Sequence, residues 1–229
     1  MFISLVIPVY NRPQEVRELL ESLTHQTRRD FETVVVEDGS APELSSDGVV
    51  REYADRLDIC YVRQPNVGPA AARNTGAAHA HGDFLGSMDS DASVPPGYFE
   101  TVYAEVEARG IAFYGGPDMA APDFSPLQKA VSYSMTSVFT TGGIRGNRRS
   151  IGKFSPRSFN LGISRPLFEQ VGGFSDMRIG EDIDFSMRVM AAGAQACVLP
   201  DAKVCHKRRK SLRLFFKQVF VFATARVNL

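Results

Sequence analysis

Apolar and polar positions alternate in blocks through the first half of the chain. Phe2 to Val9 is an apolar run closing at Pro8, which predicts a first strand. Pro13 then opens a helix whose apolar positions Val16, Leu19, Leu20 and Leu23 fall at helical spacing. Phe31 to Glu37 predicts a second strand, closed by Asp38-Gly39-Ser40. A helix over Val49 to Leu57, a short strand over Ile59 to Val62, and an Ala-rich helix over Pro69 to Ala80 follow. Asp83 to Met88 and Ile111 to Tyr114 predict the fourth and fifth strands, with a helix over Pro95 to Arg109 between them. Strands alternating with helices predict an α/β fold: a doubly wound, mostly parallel, twisted sheet covered on both faces.

The second half is less regular. Residues 118–156 mix Pro, Gly and Ser with a basic stretch, Arg145 to Arg149, and read either as a mobile loop beside an acceptor or as a solvated insertion. Ser158 to Ile163 predicts a strand, Gly172-Gly173-Phe174 a turn, and Glu181 to Ala192 a helix stopped by Gly193. Lys203 to Cys205 predicts another short strand. The division expected is 1–115 as a ligand-binding α/β half, 116–206 as the catalytic, acceptor-side half of the same domain, and 207–229 as a basic amphipathic C-terminal helix. The chain ends at Asn228-Leu229 without a terminating signal, which predicts a longer parent protein.

Composition changes this picture little. Twenty-six Lys and Arg balance 26 Asp and Glu, so net charge gives no sign of a nucleic-acid partner, and none is expected. Three unevenly spaced cysteines, Cys60, Cys197 and Cys205, predict no disulfide framework and a cytoplasmic location. The apolar N-terminus lacks a basic leader and reads as a strand. The C-terminal charge is informative. From Lys207 the chain runs Lys-Arg-Arg-Lys and continues into an aromatic-rich segment, which reads either as a packed helix or as a peripheral contact of residues 207–222 with the inner face of an anionic membrane.

The candidate chemistry lies at the predicted strand ends, where open α/β sheets bind ligands. Asp89-Ser90-Asp91 follows the fourth strand. Two carboxylates one residue apart on extended backbone point the same way, which suits a divalent cation shared with a diphosphate. Asp91 is expected to be the direct ligand, with Asp89 on ribose or the cation's water shell. Asp38 would accept hydrogen bonds from a nucleobase or cap a helix. Tyr10 would lie against that base or line the core. Gly68 permits close backbone approach, and Arg73 would bind phosphate or form an ion pair. Glu181 and Asp182 open a helix, where they either cap it or supply a base. Arg188 would pair within that helix or beyond it, and His206 would be structural or complete the cation site.

Together these residues resemble family 2 glycosyltransferases of the GT-A fold. Val6-Ile7-Pro8-Val9-Tyr10-Asn11 is similar to the family's opening strand, and Val36-Glu37-Asp38-Gly39-Ser40 to its second, with Glu37 where Asp is common. Asn66 to Asn74 resembles the phosphate-side helix, Asp89-Ser90-Asp91 the D-x-D motif, and Gly180-Glu181-Asp182 with Arg188 the E-D motif and its trailing Arg. The resemblance implies inverting, metal-assisted transfer from a nucleoside-diphosphate sugar, UDP first among nucleotides, to a glycan or lipid-linked acceptor. It implies nucleotide contacts from Pro8, Tyr10, Asn11, Arg12, Asp38, Gly68, Arg73, Asp89 and Ser90. It implies ligation of Mg2+ or Mn2+ by Asp91, Asp89 and His206, catalysis by Asp182 with Glu181, and acceptor contacts from Asn160 and Arg188. The Q-x-x-R-W signature of processive synthases is missing from the sequence. The rival readings are a non-catalytic nucleotide-sugar binding module and a sugar-phosphate nucleotidyltransferase.

Overall fold

The middle of the large sheet is buried on both faces, which explains the continuous apolar runs Leu5 to Val9 and Val34 to Val36. A computed structural model of the chain describes residues 1–120, 124–137, 154–177, 179–207 and 211–227. In β1 (Ile3–Val9), Ile3, Leu5, Ile7 and Val9 point to one face. There they meet Val16, Leu19, Leu20 and Leu23 of α1 (Pro13–Thr24), Val49 and Val50 of α2 (Asp47–Tyr53), and Val102 and Val106 of α4 (Tyr98–Arg109). Val6 points the other way, joining Val34 and Val36 of β2 (Phe31–Asp38) and Ala70, Ala72 and Ala77 of α3 (Pro69–His79). Small residues let α3 lie close: a Cβ on its Gly76 would sit 2.3 Å from Val6 Cγ1.

The sheet has seven strands in the order β3-β2-β1-β4-β8-β6-β9. β3 (Ile59–Gln64), β2, β1 and β4 (Phe84–Ser87) run parallel. β8 (Leu161–Ser164) is antiparallel to both β4 and β6 (Phe113–Gly115), and β9 (Cys197–Val198) runs parallel to β6. The large sheet is therefore mostly parallel, as expected, but the fifth strand expected does not lie beside the fourth. The segment expected as a strand over Ser158 to Ile163 opens with a 3-10 turn, Ser158–Asn160, and only then enters β8.

Residues expected as loop or insertion carry more structure than periodicity showed. β7 (Asp118–Met119) pairs with β10 (Val204–His206), and α5 (Pro126–Thr136) begins at a capping box of Ser125 and Gln128. The signal for α5 was present: Ser125-Pro126-Leu127-Gln128 is a cap, a helix-opening proline and a third-position Gln. The basic stretch Arg145–Arg149 lies outside the described residues, as do Arg208, Arg209 and Lys210. The chain then continues through α6 (Arg165–Gln170), α7 (Glu181–Ala191) and α8 (Leu212–Val227).

A small second sheet, β5-β10-β7, brings the far end of the chain to the mouth of the large one. β10 is antiparallel to β5 (Ala92–Ser93) with His206 opposite Ala92, and Lys207 N–H donates to the Asp91 carbonyl at 3.0 Å. That register carries His206 to the strand-end turn.

A buried carboxylate ties β1 and β2 to the start of β4. Glu32 accepts from Ser4 Oγ, the His81 backbone N–H and His81 Nδ1. Burial works against its ionisation, but hydrogen bonds from His81 and Ser4 outweigh it and hold Glu32 below the usual carboxylate range. The same bond raises His81. Glu32's contribution is present above the unfolded value of about 4.3 and lost as pH falls through the lower folded value. His81's contribution is present below about 6.5 and lost as pH rises through its raised value. Glu32→Gln is therefore expected to lower Tm by roughly 2–6 °C near pH 6, with the gap narrowing toward both pH 3 and pH 8 in a calorimetric series.

Candidate active site

Three polar loops meet beyond the carboxyl ends of β1, β2 and β4. Asp89 and Asp91 do not share one strand, on which alternation alone would aim both carboxylates the same way. β4 ends at Ser87, and Asp89 to Ala92 form a turn closed by Ala92 N–H on the Asp89 carbonyl at 3.1 Å. The turn still converges the carboxylates, and His206, the last residue of β10, completes the group. One ligand atom from each of Asp89, Asp91 and His206 lies within 4.8 Å of the others. His206 Nε2 is 2.9 Å from Asp91 Oδ1 and 3.8 Å from Asp89 Oδ2.

Two carboxylates and an imidazole could hold a divalent cation, with the nitrogen favouring Mn2+ over Mg2+. Phe159 stacks on the His206 ring, centroids 5.4 Å apart and planes 9° apart, which fixes the ring's orientation. Arg12 Nη1 donates to Asp91 Oδ2. Burial opposes charge on Asp91, but His206 and Arg12 overcome it and hold the carboxyl well below its ordinary range.

Arg73 joins this group to the second acidic cluster. Its side chain is 4% exposed, and its planar fork is shared three ways. Nε donates to Ser87 Oγ at 3.1 Å, Nη2 to Asp89 Oδ1 at 2.8 Å, and Nη1 to Glu181 Oε1 at 3.0 Å. Ser87 Oγ in turn donates to the Ser158 carbonyl at 2.9 Å. Of the two roles expected for Arg73, these contacts are the ion-pair one. Glu181 stands at the first position of α7, after Gly180, whose φ of 83° lies in the left-handed region glycine favours. Burial raises the Glu181 carboxyl, with neighbouring Asp182 adding to the rise and Arg73 opposing it.

The remaining expected residues divide into exposed and enclosed. Tyr10 is 52% exposed at the site mouth, so it does not line the core. Pro8 pairs with Val36 in the β1–β2 ladder, and Ser90 is buried in the turn. Asn11, at φ 55°, donates its N–H to Ser40 Oγ at 2.7 Å and accepts from Ala41 N–H at 2.9 Å, tying the first loop to the second. Asp38 caps, but it caps the entrance to α3 rather than the next helix. It accepts from Gln64 Nε2, Val67 N–H and Gly68 N–H at 2.7, 3.0 and 2.9 Å. Gly68, at φ 101°, makes that turn possible.

The two residues expected on the acceptor side both bond within the protein, and Arg188 pairs within its helix as expected. Asn160 is fully buried, accepting from Tyr98 Oη and donating to the Ala202 carbonyl, each at 2.7 Å. It is a strut between α4, β8 and the approach to β10. Arg188 donates to Asp184 Oδ2 at 2.9 Å and to the Val171 carbonyl at 2.7 Å.

Three residues have roles that the sequence alone does not assign. Glu37 accepts from Ser40, Ser46 N–H and Tyr61 Oη beneath the second loop. Ser87 positions Arg73. Arg157 donates through Nε to Asp182 Oδ2 at 2.6 Å. Neither Ser87 nor Arg157 belongs to a motif or a periodic pattern, so no sequence signal marked them.

Arg73→Met leaves Glu181 and Asp89 buried without their shared cation. It is expected to cost about 3–5 kcal/mol in urea unfolding, with Arg73→Lys intermediate because a single ammonium cannot span both carboxylates.

Comparison with known proteins agrees with this geometry. Residues 4–172 match the family model described as Glycosyl transferase family 2. The chain is 31% identical over 220 residues to a pre-mycofactocin glycosyltransferase of Mycobacterium tuberculosis, covering 92% of this chain and 44% of that protein. It is 27% identical over 225 residues to glycosyltransferase AglE of Haloferax volcanii, covering 95% and 70%. The chain thus spans less than half the length of the mycobacterial relative. Among solved structures, S. aureus TarS 1-349 in complex with UDP-GlcNAc superposes with a TM-score of 0.71 at 21% identity, covering 92% of this chain and 60% of that one. The mannosyltransferase PcManGT from Pyrobaculum calidifontis, in complex with GDP-Man and Mn2+, gives 0.71 at 19% identity, covering 99% and 64%. The likeness to these two structures extends to the fold, a GT-A architecture, and the sequence match goes further: the chain belongs to glycosyl transferase family 2.

Proposed function

We propose that the chain forms the donor-binding and catalytic core of an inverting glycosyltransferase that moves a sugar from a nucleoside-diphosphate sugar to a hydroxyl acceptor. The observation that carries this reading is the convergence of Asp89, Asp91 and His206, with Asp89 joined through Arg73 to Glu181, the residue before Asp182. The UDP-GlcNAc complex of TarS supports a UDP donor, and the GDP-Man and Mn2+ complex of PcManGT supports a divalent cation and keeps GDP as the second candidate. Asp89, Asp91 and His206 would hold that cation, which when bound neutralises charge on the diphosphate.

The protein's own groups supply the rest. Tyr10, with its exposed ring, offers a surface for the base, and the Asp38 loop closes beside it. Pro8, Asn11, Gly68 and Ser90 shape the backbone around the nucleotide. Arg12, on the Asp91 carboxylate, is within reach of incoming phosphate. Asp182 accepts the proton of the acceptor hydroxyl. The freed oxygen attacks the anomeric carbon from the face opposite the diphosphate. The bond from that carbon to the diphosphate oxygen breaks, and its electron pair leaves with the nucleotide. Inversion follows from the single displacement.

Residues 207–229 carry seven basic side chains and no acidic ones. On α8, Leu212, Phe216 and Phe220 are 65%, 73% and 61% exposed, with Arg213 and Lys217 beside them. Among the described residues no helix is long and apolar enough to cross a membrane. The charge disfavours pairing with a second copy and favours an anionic lipid surface, where a lipid-linked or glycan acceptor would be met.

Asp182→Asn is expected to lower nucleotide release from a UDP-sugar about 100-fold or more while sparing UDP binding. Unchanged release would remove the base assignment. Asp91→Ala should abolish the part of UDP affinity that depends on Mn2+, read by calorimetry. Binding to phosphatidylglycerol vesicles, but not to phosphatidylcholine vesicles, should weaken with salt and fall further in Phe216→Glu; equal binding to both would contradict the lipid contact.

A further inference from the structure

The segment Pro156 to Asn160 carries no motif, yet it touches α7, Ser87 and His206. The Pro156 carbonyl accepts from Ser186 Oγ of α7 at 2.6 Å. The Ser158 carbonyl accepts from Ser87 Oγ, the hydroxyl that also holds Arg73. Phe159 stacks on His206, and Asn160 is bonded on both sides of its amide. Between these anchors, Arg157 reaches Asp182 at 2.6 Å, with the two side chains 16% and 12% exposed.

A carboxylate that receives a proton in the transition state must present one oxygen to the incoming hydroxyl. An aspartate on the first turn of a helix can rotate that oxygen away. Arg157 removes this freedom by engaging Oδ2 from a backbone itself pinned at four neighbouring residues. The two adjacent carboxylates of α7 thus receive one guanidinium each, Glu181 from Arg73 and Asp182 from Arg157.

We propose that Arg157 is a positioning residue for Asp182, fixing Oδ2 so that Oδ1 faces the acceptor hydroxyl, and that the 156–160 segment keeps the base in register with the Asp89–Asp91–His206 group. This rests on Asp182 as the base. Misplacing a reacting group by about 1 Å costs up to roughly 100-fold in rate without comparable loss of binding.

The test uses the full chain with Mn2+ and, as probes, UDP-GlcNAc, UDP-glucose and GDP-mannose with water as acceptor, following nucleotide release. For whichever donor is turned over, Arg157→Ala should lower kcat about 10–100-fold with the donor KM within about 2-fold. Arg157→Lys should recover part of the loss, and guanidinium chloride at low millimolar levels should rescue Arg157→Ala but not Asp182→Asn. The Arg157→Ala/Asp182→Asn double variant should be no slower than Asp182→Asn alone. Should Arg157→Ala fail to fold, Arg157→Gln, which keeps a donor but no charge, is read against Arg157→Lys in the same way. A wild-type kcat in Arg157→Ala, a pure KM effect, or additive losses in the double variant would overturn the positioning role. Wild-type release by Asp182→Asn would instead overturn the base assignment beneath it, and turnover of none of the three donors would count against the donor reading itself.

Discussion

The structure depends on one buried cation. Arg73 is enclosed, yet its guanidinium is matched on three sides, by Asp89, Glu181 and Ser87. Those two carboxylates are 92 residues apart in the chain (181 − 89) and belong to different halves of it. An unpaired charge at this depth would be strongly destabilising, so the folded state is committed to bringing both clusters to Arg73. Lysine could not do this, because a point charge lacks the planar fork that addresses two acceptors at once. Phe174 lies 5.5 Å from the guanidinium centre and stacks on Phe185 of α7, so the same spot is also an apolar seam.

The sheet explains why the cation can be placed there at all. Parallel strands with helices on both faces end at a common edge, and the first turns of α3 and α7 open toward it. α3 carries Arg73 close to the sheet because its inner face is built of Ala and Gly. The short β5-β10-β7 sheet then folds His206 over the edge, and Phe159 and Lys207 fix it there. Arg73 and Glu181 are thus held on helices whose inner faces pack on the sheet.

Much of this was legible in the sequence, for identifiable reasons. β1 and β2 are apolar on both faces, and their polar endings mark the site edge, so the parallel half, Asp38, Asp89, Asp91 and the α7 cluster could be read from pattern and motif. The insertion of antiparallel β8 between β4 and β6 was not legible, because Leu161–Ser164 is too short to declare its neighbours. Asn160 could not be told from a surface amide until Tyr98 and Ala202 closed around it. Arg157 is one basic residue after an irregular stretch, and only tertiary structure gives it a partner. The α5 capping box is legible in Ser125-Pro126-Leu127-Gln128, within a stretch whose Pro, Gly and Ser content suggests a loop.

The most direct measurement is a crystal structure with Mn2+ and UDP, read by manganese anomalous scattering. One peak bonded to an Asp91 oxygen and His206 Nε2 is expected, with the diphosphate on the side facing Asp182 and Arg73 still bridging Asp89 to Glu181. A peak elsewhere, or a nucleotide seated on the face away from α7, would contradict the meeting of the two carboxylate clusters around one cavity.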